Sequence, residues 1–332
     1  NDAGYLRSAD FINGHLYVGY AWYDPDPIFL TKWVSAAVYQ NYNFGGLKVA
    51  ETYVLMMYGQ LPSYWQIRLD GGYNSETFED RLTRGGPVTR YPSSRYAIAS
   101  VSSDTRRPLS GSLSLVSAHS DAGAWQTSSS LSFHWKASRV LSLRGGPEYS
   151  RVRAIAQWVG KVSDPFATET FGMRYLFGTL DQTLLSASLR VNWVSTPTLS
   201  FQLYLQPLFS TGRYVEIKEL ARPRSFAFNV YGRGASTLSR TAAGYLIDPD
   251  GPGGSAPSFS LPDPDFNYKS LRLNAVLRWE YLPGSTLHLV WTHEKTHIGL
   301  PADFRLGNDT RTLLREKPDN VFSLKITYWW SP

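Results

Sequence analysis

His293, Glu294 and His297 stand at the spacing H-E-x-x-H, which on a helix lays two imidazoles around one zinc ion with the glutamate as base. Here they continue the alternating run TLHLVWTHEK, residues 286–295, and four residues along a strand span about 13 Å, too far to share an ion. No third ligand is recognisable, so these are read as polar residues at an outer mouth; no metal or cofactor is expected. Three Asp-Pro-Asp segments carry Asp24 and Asp26, Asp248 and Asp250, and Asp263 and Asp265. The middle one continues as GPGG and offers oxygens of the kind calcium takes, but the other ligands of an EF-hand loop are missing and turn chemistry accounts for the pattern. An acid and base pair for glycoside hydrolysis cannot be located, because Glu79, Asp80, Glu216, Glu219 and the Asp-Pro-Asp residues all read as loop positions. A Ser-His-Asp arrangement is equally unreadable among so many serines, and Gly85-Gly86-Pro87 is a turn without the strand-to-helix setting a phosphate loop needs. The segment ELARPRSFAFNVYG, residues 219–232, gathers Arg222, Arg224, Phe226, Phe228 and Tyr231. As a loop it is a candidate constriction or a site for an anionic or sugar ligand; the competing reading is an ordinary surface loop.

The elements that hold these residues follow a two-residue period. Ala187, Leu189, Val191 and Trp193 alternate with Ser186, Ser188, Arg190 and Asn192, and Leu199, Phe201, Leu203 and Leu205 with Ser200, Gln202, Tyr204 and Gln206. The same alternation recurs from Leu16 to Trp22, Leu109 to Leu115, Leu271 to Trp279 and Phe322 to Trp330, and no comparable helical period is found. Such strands have one apolar and one polar face. Trp 11, Tyr 21 and Phe 16 make the chain 14% aromatic against 18% charged, with a mean hydropathy of -0.27. That composition suits a chain whose apolar residues occupy every second position. No apolar run is long enough for a transmembrane helix, so a membrane reading requires a barrel. Cysteine is absent, which fits a compartment where stray thiols are a liability. The net charge of +6 over 332 residues does not point to nucleic acid, because the basic residues do not gather in one patch.

Short breaks rich in Pro, Gly, Ser or Asp stand at 24–27, 60–63, 105–108, 136–139, 195–198 and 282–285. Between them lie connections of variable length, including 75–92, 161–170, 212–266 and 297–319. Short turns at one end and long loops at the other are how outer-membrane barrels are built. Trp22, Trp65, Trp135, Trp193, Trp279 and Trp330 cluster at the short-turn end, where an amphipathic indole belongs if that end meets a bilayer interface. The fold expected is all-β: a transmembrane antiparallel outer-membrane β-barrel forming a single domain over 1–332, with about thirteen strands and a long external loop at 212–266. Strands near 140–160 and 171–194 run long enough to project above a membrane. A closed single-chain barrel normally has an even number of strands, so an odd count means either that one strand is mis-segmented or that the chain is the C-terminal portion of a larger barrel, and the expectation taken is the second. On this reading Arg68, Asp70, Arg144, Glu148, Arg190, Arg272, Arg278, Glu280 and Lys325 face a wet lumen, and the 212–266 loop partly plugs it.

Several segments together carry a resemblance: FEDRLTRGGPV (78–88), RYLFGTLDQTLLSASLRVNW (174–193), YLIDPDGPG (245–253), DPDFNYKSLRLNAVLRWEYLPGSTLHLVWT (263–292) and KPDNVFSLKITYWWSP (317–332), with NDAGYLRSAD at the start. These resemble the C-terminal region of the domain of unknown function 5916 family. The resemblance implies a bacterial envelope protein with a signal peptide and a module similar to family-9 carbohydrate-binding domains ahead of the β-rich region. It carries no activity onto any residue. The function expected is a pore or receptor-like channel for small or glycan-type solutes in the bacterial outer membrane, short turns periplasmic and long loops extracellular. The alternatives are a membrane-embedded enzyme acting on glycan or lipid and a scaffold subunit of an outer-membrane complex. The expected partners are outer-membrane lipid, then saccharide and other envelope proteins, and no nucleic acid.

Overall fold

The computed structural model describes residues 10–330; the opening NDAGYLRSA and the closing Ser331-Pro332 lie outside the described residues. The strands are β1 (Ile12–Trp22), β2 (Thr31–Tyr42), β3 (Lys48–Gln60), β4 (Gln66–Asn74), β5 (Thr77–Glu79), β6 (Thr89–Tyr91), β7 (Ser94–Ser102), β8 (Leu109–Ser120), β9 (Trp125–Lys136) and β10 (Leu141–Ser163). They continue with β11 (Met173–Thr196), β12 (Leu199–Leu220), β13 (Phe228–Val230), β14 (Thr237–Thr241), β15 (Gly244–Asp248), β16 (Phe259–Pro262), β17 (Phe266–Leu282), β18 (Ser285–Gly299) and β19 (Asp319–Thr327). One helix, α1 (Leu306–Arg315), sits between β18 and β19.

The chain is all-β and antiparallel. Its main sheet runs β1-β2-β3-β4-β7-β8-β9-β10-β11-β12-β17-β18-β19, with β13 added beside β12, a path of thirteen strands as the turn count implied. The register keeps like residues level across the sheet. Leu143, Val191, Leu203, Ala275, Trp291 and Phe322 form one continuous row over six strands. One residue along, Ser142, Asn192, Gln202, Val276 and Val290 lie on the opposite face. The apolar face is not covered by a second layer along most of the sheet: Leu16 and Val18 are each 65% exposed, and Leu131, Leu289, Leu324 and Ile326 are exposed as well.

One expectation is met in part here and one is corrected. The strands described do not close into a barrel: β1 pairs only with β2 and β19 only with β18. The first and last of thirteen antiparallel strands run in the same direction, so direct pairing between them would be parallel. The stretch 212–266 is not a loop. Gly212–Leu220 continues β12, β13 pairs back onto it, and β14, β15 and β16 form a separate three-stranded sheet. Three strands rather than two are therefore long, β10 with 23 residues, β11 with 24 and β12 with 22. The connection 297–319 likewise contains the end of β18 and helix α1.

The far halves of β10–β12 build a small core that the rest of the sheet lacks. On one side Leu176 and Ile217 pack with Tyr231, Ile247 and Leu261 beneath the three-stranded sheet. On the other, Tyr175, Phe177 and Leu220 pack with Leu82, Trp158 and Phe228. Arg224 N–H donates to Val88 O at 2.7 Å and Arg90 N–H to Ser225 O at 3.1 Å, tying the connection after β4 to the one after β12. Those strands stand well apart in the sheet order, so these two connections reach each other across several intervening strands.

Candidate functional site

The charged residues marked in the sequence fall on one face. Register pairs Arg68 with Ser100, Asp70 with Ile98, Arg144 with Arg190, Glu148 with Ser186 and Ser130, Arg272 with Glu294 and Gln206, Arg278 with Ser200 and His288, and His288 with Lys325. Each of these lies one residue away from the apolar rows, as strand alternation requires. Glu280 closes the same face at the short-turn end, opposite Thr286. Several are paired: Arg68 with Asp70 at 2.8 Å, Arg272 with Glu294 at 3.0 Å and Arg278 with Glu280 at 3.0 Å. Arg144, Arg190, Glu148 and Lys325 take no ion-pair partner among the described residues.

Three of those unpaired charges meet in one place. Gly145-Gly146-Pro147 interrupts the pairing of β10 with β9, where the register passes from Gly145 opposite Phe133 to Glu148 opposite Ser130. Glycine is required there: a Cβ on Gly146, at φ 156°, would stand 1.8 Å from Leu131 O, and one on Gly145 would stand 2.1 Å from Ser188 O. The three backbones approach too closely here for a side chain at either glycine. It leaves a depression of about 600 Å³ lined by Arg144, Glu148, His134, Ser112, Ser132 and Ser188. Its lining is small and hydroxylated: Ser112 and Ser132 share a hydrogen bond of 2.7 Å, and Ser110, Ser130 and Ser188 stand beside them. Arg144 and Arg190 lie directly opposite one another, an unfavourable like-charge pair, and Arg190 turns over the ring of Tyr204 at 5.2 Å. The arrangement offers a hydroxyl-rich surface with both signs of charge at its edge, which suits a hydrated solute or an ion more than a reacting bond.

The proposed ligand segment is mostly built into structure. Arg222 and Arg224 are exposed, and Arg224 rests over Phe78 at 5.5 Å. Phe226 packs edge-on against Phe228 at 5.0 Å, and Phe228 belongs to β13. Tyr231 is buried and donates its hydroxyl hydrogen to Glu219 at 2.8 Å, so it is not a loop contact. Glu216 and Glu219, read as loop residues, are on β12 and point to opposite faces. Glu216 takes Arg233 at 2.6 Å and Thr179 at 3.1 Å, whereas Glu219 takes Arg174 at 2.8 Å; they cannot flank one glycosidic bond. Glu79 ends the short strand β5. His293 and His297 lie on β18, where His293 meets Asn320 at 2.9 Å and His297 meets Glu316 at 2.7 Å. No cluster with metal-ligand geometry is found among the described residues.

Sequence reasoning missed the buried charges of the far-end core. Arg174, with 8% of its side chain exposed, joins Asp164 at 2.6 Å and Glu219 at 2.8 Å. Lys218 is buried against Thr179 at 3.0 Å and the Phe228 ring at 5.0 Å. Burial pushes its ammonium below the ordinary lysine value, with Glu216 opposing the shift. Burial pushes the Tyr231 hydroxyl up, and the neighbouring Glu219 charge adds to it. No spacing in the sequence marks this group, because its members come from three separate elements.

The six indoles are all exposed at the short-turn end. Trp22, Trp135, Trp193 and Trp279 continue the apolar rows, while Trp65 precedes β4 and Trp330 follows β19. No curated protein matches the chain. The family model described as Domain of unknown function (DUF5916) matches residues 1–330, and the chain belongs to that family.

Proposed function

We propose that the apolar face of the sheet contacts lipid, and that the sheet is wall of an outer-membrane barrel whose polar face lines a wet interior through which small or glycan-type solutes pass or are held. The observation that carries this reading is the segregation itself. Most strands of the path from β1 to β19 present large apolar side chains to one open side, and Arg68, Asp70, Arg144, Glu148, Arg190, Arg272, Arg278, Glu280 and Lys325 stand on the other. A water-soluble sheet would cover such a face, since exposed apolar patches of this extent are rare on soluble proteins. On β12 the apolar positions run from Leu199 to Phe209 and give way to Thr211 and Arg213. Ten residue steps at about 3.3 Å, tilted about 45°, make a band roughly 23 Å tall, close to that of known barrels.

In this reading the six short turns face the periplasm and the far-end core stands outside. The depression beside Arg144 and Glu148 lies on the solute path. The unpaired edges of β1 and β19 favour a second reading, a structural subunit whose wall is finished by strands outside the path described. Solute release from liposomes separates the two. The pore reading expects flux of neutral oligosaccharides with a size limit, altered by Arg144→Trp; absence of flux from inserted, folded protein leaves the scaffold.

A further inference from the structure

We infer that the outward face of β10–β12 just above the apolar band is a binding site for the phosphate of a lipid headgroup in the adjoining leaflet; this rests on the membrane reading above. The outward positions of β10 run Leu141, Leu143, Gly145, Pro147, Tyr149 and then Arg151 and Arg153. The first guanidinium therefore follows the last apolar position by one outward step, about 6.6 Å along the strand. The same switch occurs level with it on the neighbours. Arg153 lies opposite Trp125 on β9 and Asp181 on β11, and Asp181 lies opposite Arg213 on β12.

These side chains line a hollow of about 300 Å³ together with Asp303 and Phe304 of the segment after β18. Phe304 is held there against Tyr149 at 6.5 Å. Arg153 is fixed by Asp181 at 3.4 Å and Arg213 by Asp303 at 2.9 Å. Arg151 has only the ring of Trp125, 5.9 Å away, and is exposed without a carboxylate partner among the described residues. Asp181 Oδ1 is buried and accepts no hydrogen bond. The hollow thus pairs a free guanidinium, flanked by two held in place, with an acceptor in need of a donor. A phosphate diester carrying a neighbouring hydroxyl satisfies both: its oxygens take Arg151 and the outer N–H groups of Arg213, and its hydroxyl donates to Asp181. Arginine forks suit phosphate oxygens, and the depth is that of headgroups, where basic side chains gain from anionic lipid. Trp125 and Tyr149 mark the same level as amphipathic interface residues.

The test uses protein inserted in phosphatidylcholine vesicles containing a minority of phosphatidylglycerol, a phosphodiester with free hydroxyls. Lipids retained by the protein after extraction in neutral detergent are counted by native mass spectrometry. Wild type is expected to enrich phosphatidylglycerol over phosphatidylcholine. Arg151→Gln should lower that preference roughly tenfold, and Arg139→Gln, in a short turn at the other end, should leave it unchanged. Arg151 holds no ion pair, so its variant tests the site without unpairing a partner. Equal enrichment in Arg151→Gln and wild type overturns the proposal. So does displacement of the lipid by inorganic phosphate at equal concentration, which would make the occupant a free anion. Failure of folded protein to enter vesicles is seen before any lipid is counted, and it brings down the membrane reading and this proposal together.

Discussion

Leu203 and Gln202 are adjacent on β12 and point to opposite faces. Leu203 lies between Val191 and Ala275 in the apolar row, and Gln202 between Asn192 and Val276 on the polar face. The same substitution at each therefore asks what surrounds each face. Leu203 is four residues from the start of the band at Leu199 and six from its end at Phe209. With about 3.3 Å per residue and a tilt near 45°, it sits roughly 9 Å inside one boundary and 14 Å inside the other. On the membrane reading that is close to the bilayer midplane, where an arginine on a barrel's lipid face costs about 2–4 kcal/mol. If water bathed both faces instead, arginine in place of a half-buried leucine would cost about 1 kcal/mol, the common value for single substitutions. Leu203→Arg is thus predicted to lower stability by about 2–4 kcal/mol, and Gln202→Arg by no more than about 0.5 kcal/mol. The measurement is reversible urea unfolding of protein inserted in vesicles, followed by tryptophan emission and electrophoretic mobility. Equal effects at the two positions, or a larger one at Gln202, would refute the claim that lipid surrounds the apolar face.

Three further outcomes are expected. Arg174→Met leaves Asp164 and Glu219 buried beside each other without their shared cation, a loss of about 3–5 kcal/mol that should loosen the far-end core and open residues 164–172 and 220–262 to limited proteolysis while the band stays protected. Lys218 has a folded pKa pushed below the ordinary lysine value of 10.5 by burial. Its ammonium is therefore disfavoured in the fold, and stability should fall as pH drops from about 10.5 through the lowered value and then level off; Lys218→Met should flatten that slope in unfolding curves between pH 6 and 10. Finally, if the edges of β1 and β19 are paired in the membrane, hydrogen exchange should show protection at every amide from Leu16 to Trp22, whereas an open edge protects only those facing β2.

The main sheet was legible because its signal is local. Alternation such as Leu271, Leu273, Ala275 and Leu277 against Arg272, Asn274 and Arg278 needs only one strand to be read, and it placed every lumen-facing candidate on one face. The far-end core was not legible, for the opposite reason. Thr211, Gly212 and Arg213 break the apolar pattern of β12, yet the strand continues for seven more residues because Ile217 and Leu220 are covered from opposite sides by segments distant in sequence. Helix α1 hid similarly. LGNDTRTLLR contains Gly, Asn, Asp and two Thr, poor helix formers, and is held by tertiary contacts: buried Asp309 meets Lys269 at 3.1 Å, and Lys295 donates to Leu314 O at 2.6 Å. The depression by Arg144 lay between the two cases. Gly145-Gly146-Pro147 is visible in the sequence as an interruption, but that it opens onto serines of β8, β9 and β11 follows only from the register.

On the membrane reading, the edges decide how the wall would have to be completed. β1 pairs through eleven residues with β2 and presents its other side to nothing among the described residues. In strands, alternate residues direct their N–H and C=O to each side, so about half of the backbone polar groups on that edge have no partner. In hydrocarbon each costs several kcal/mol, a sum beyond the whole stability of an ordinary domain. A lipid-facing sheet therefore cannot keep this edge, and the side chains of β1 offer no charge on the apolar face from Leu16 to Trp22 to blunt it. Direct pairing of β1 with β19 would be parallel. An odd number of additional strands, one at the least, restores an antiparallel wall throughout. On the same reading, with Arg144, Glu148 and the serines near the middle of the strand order and both edges at its ends, the added strands would stand across a barrel interior from the depression and set how wide that interior is.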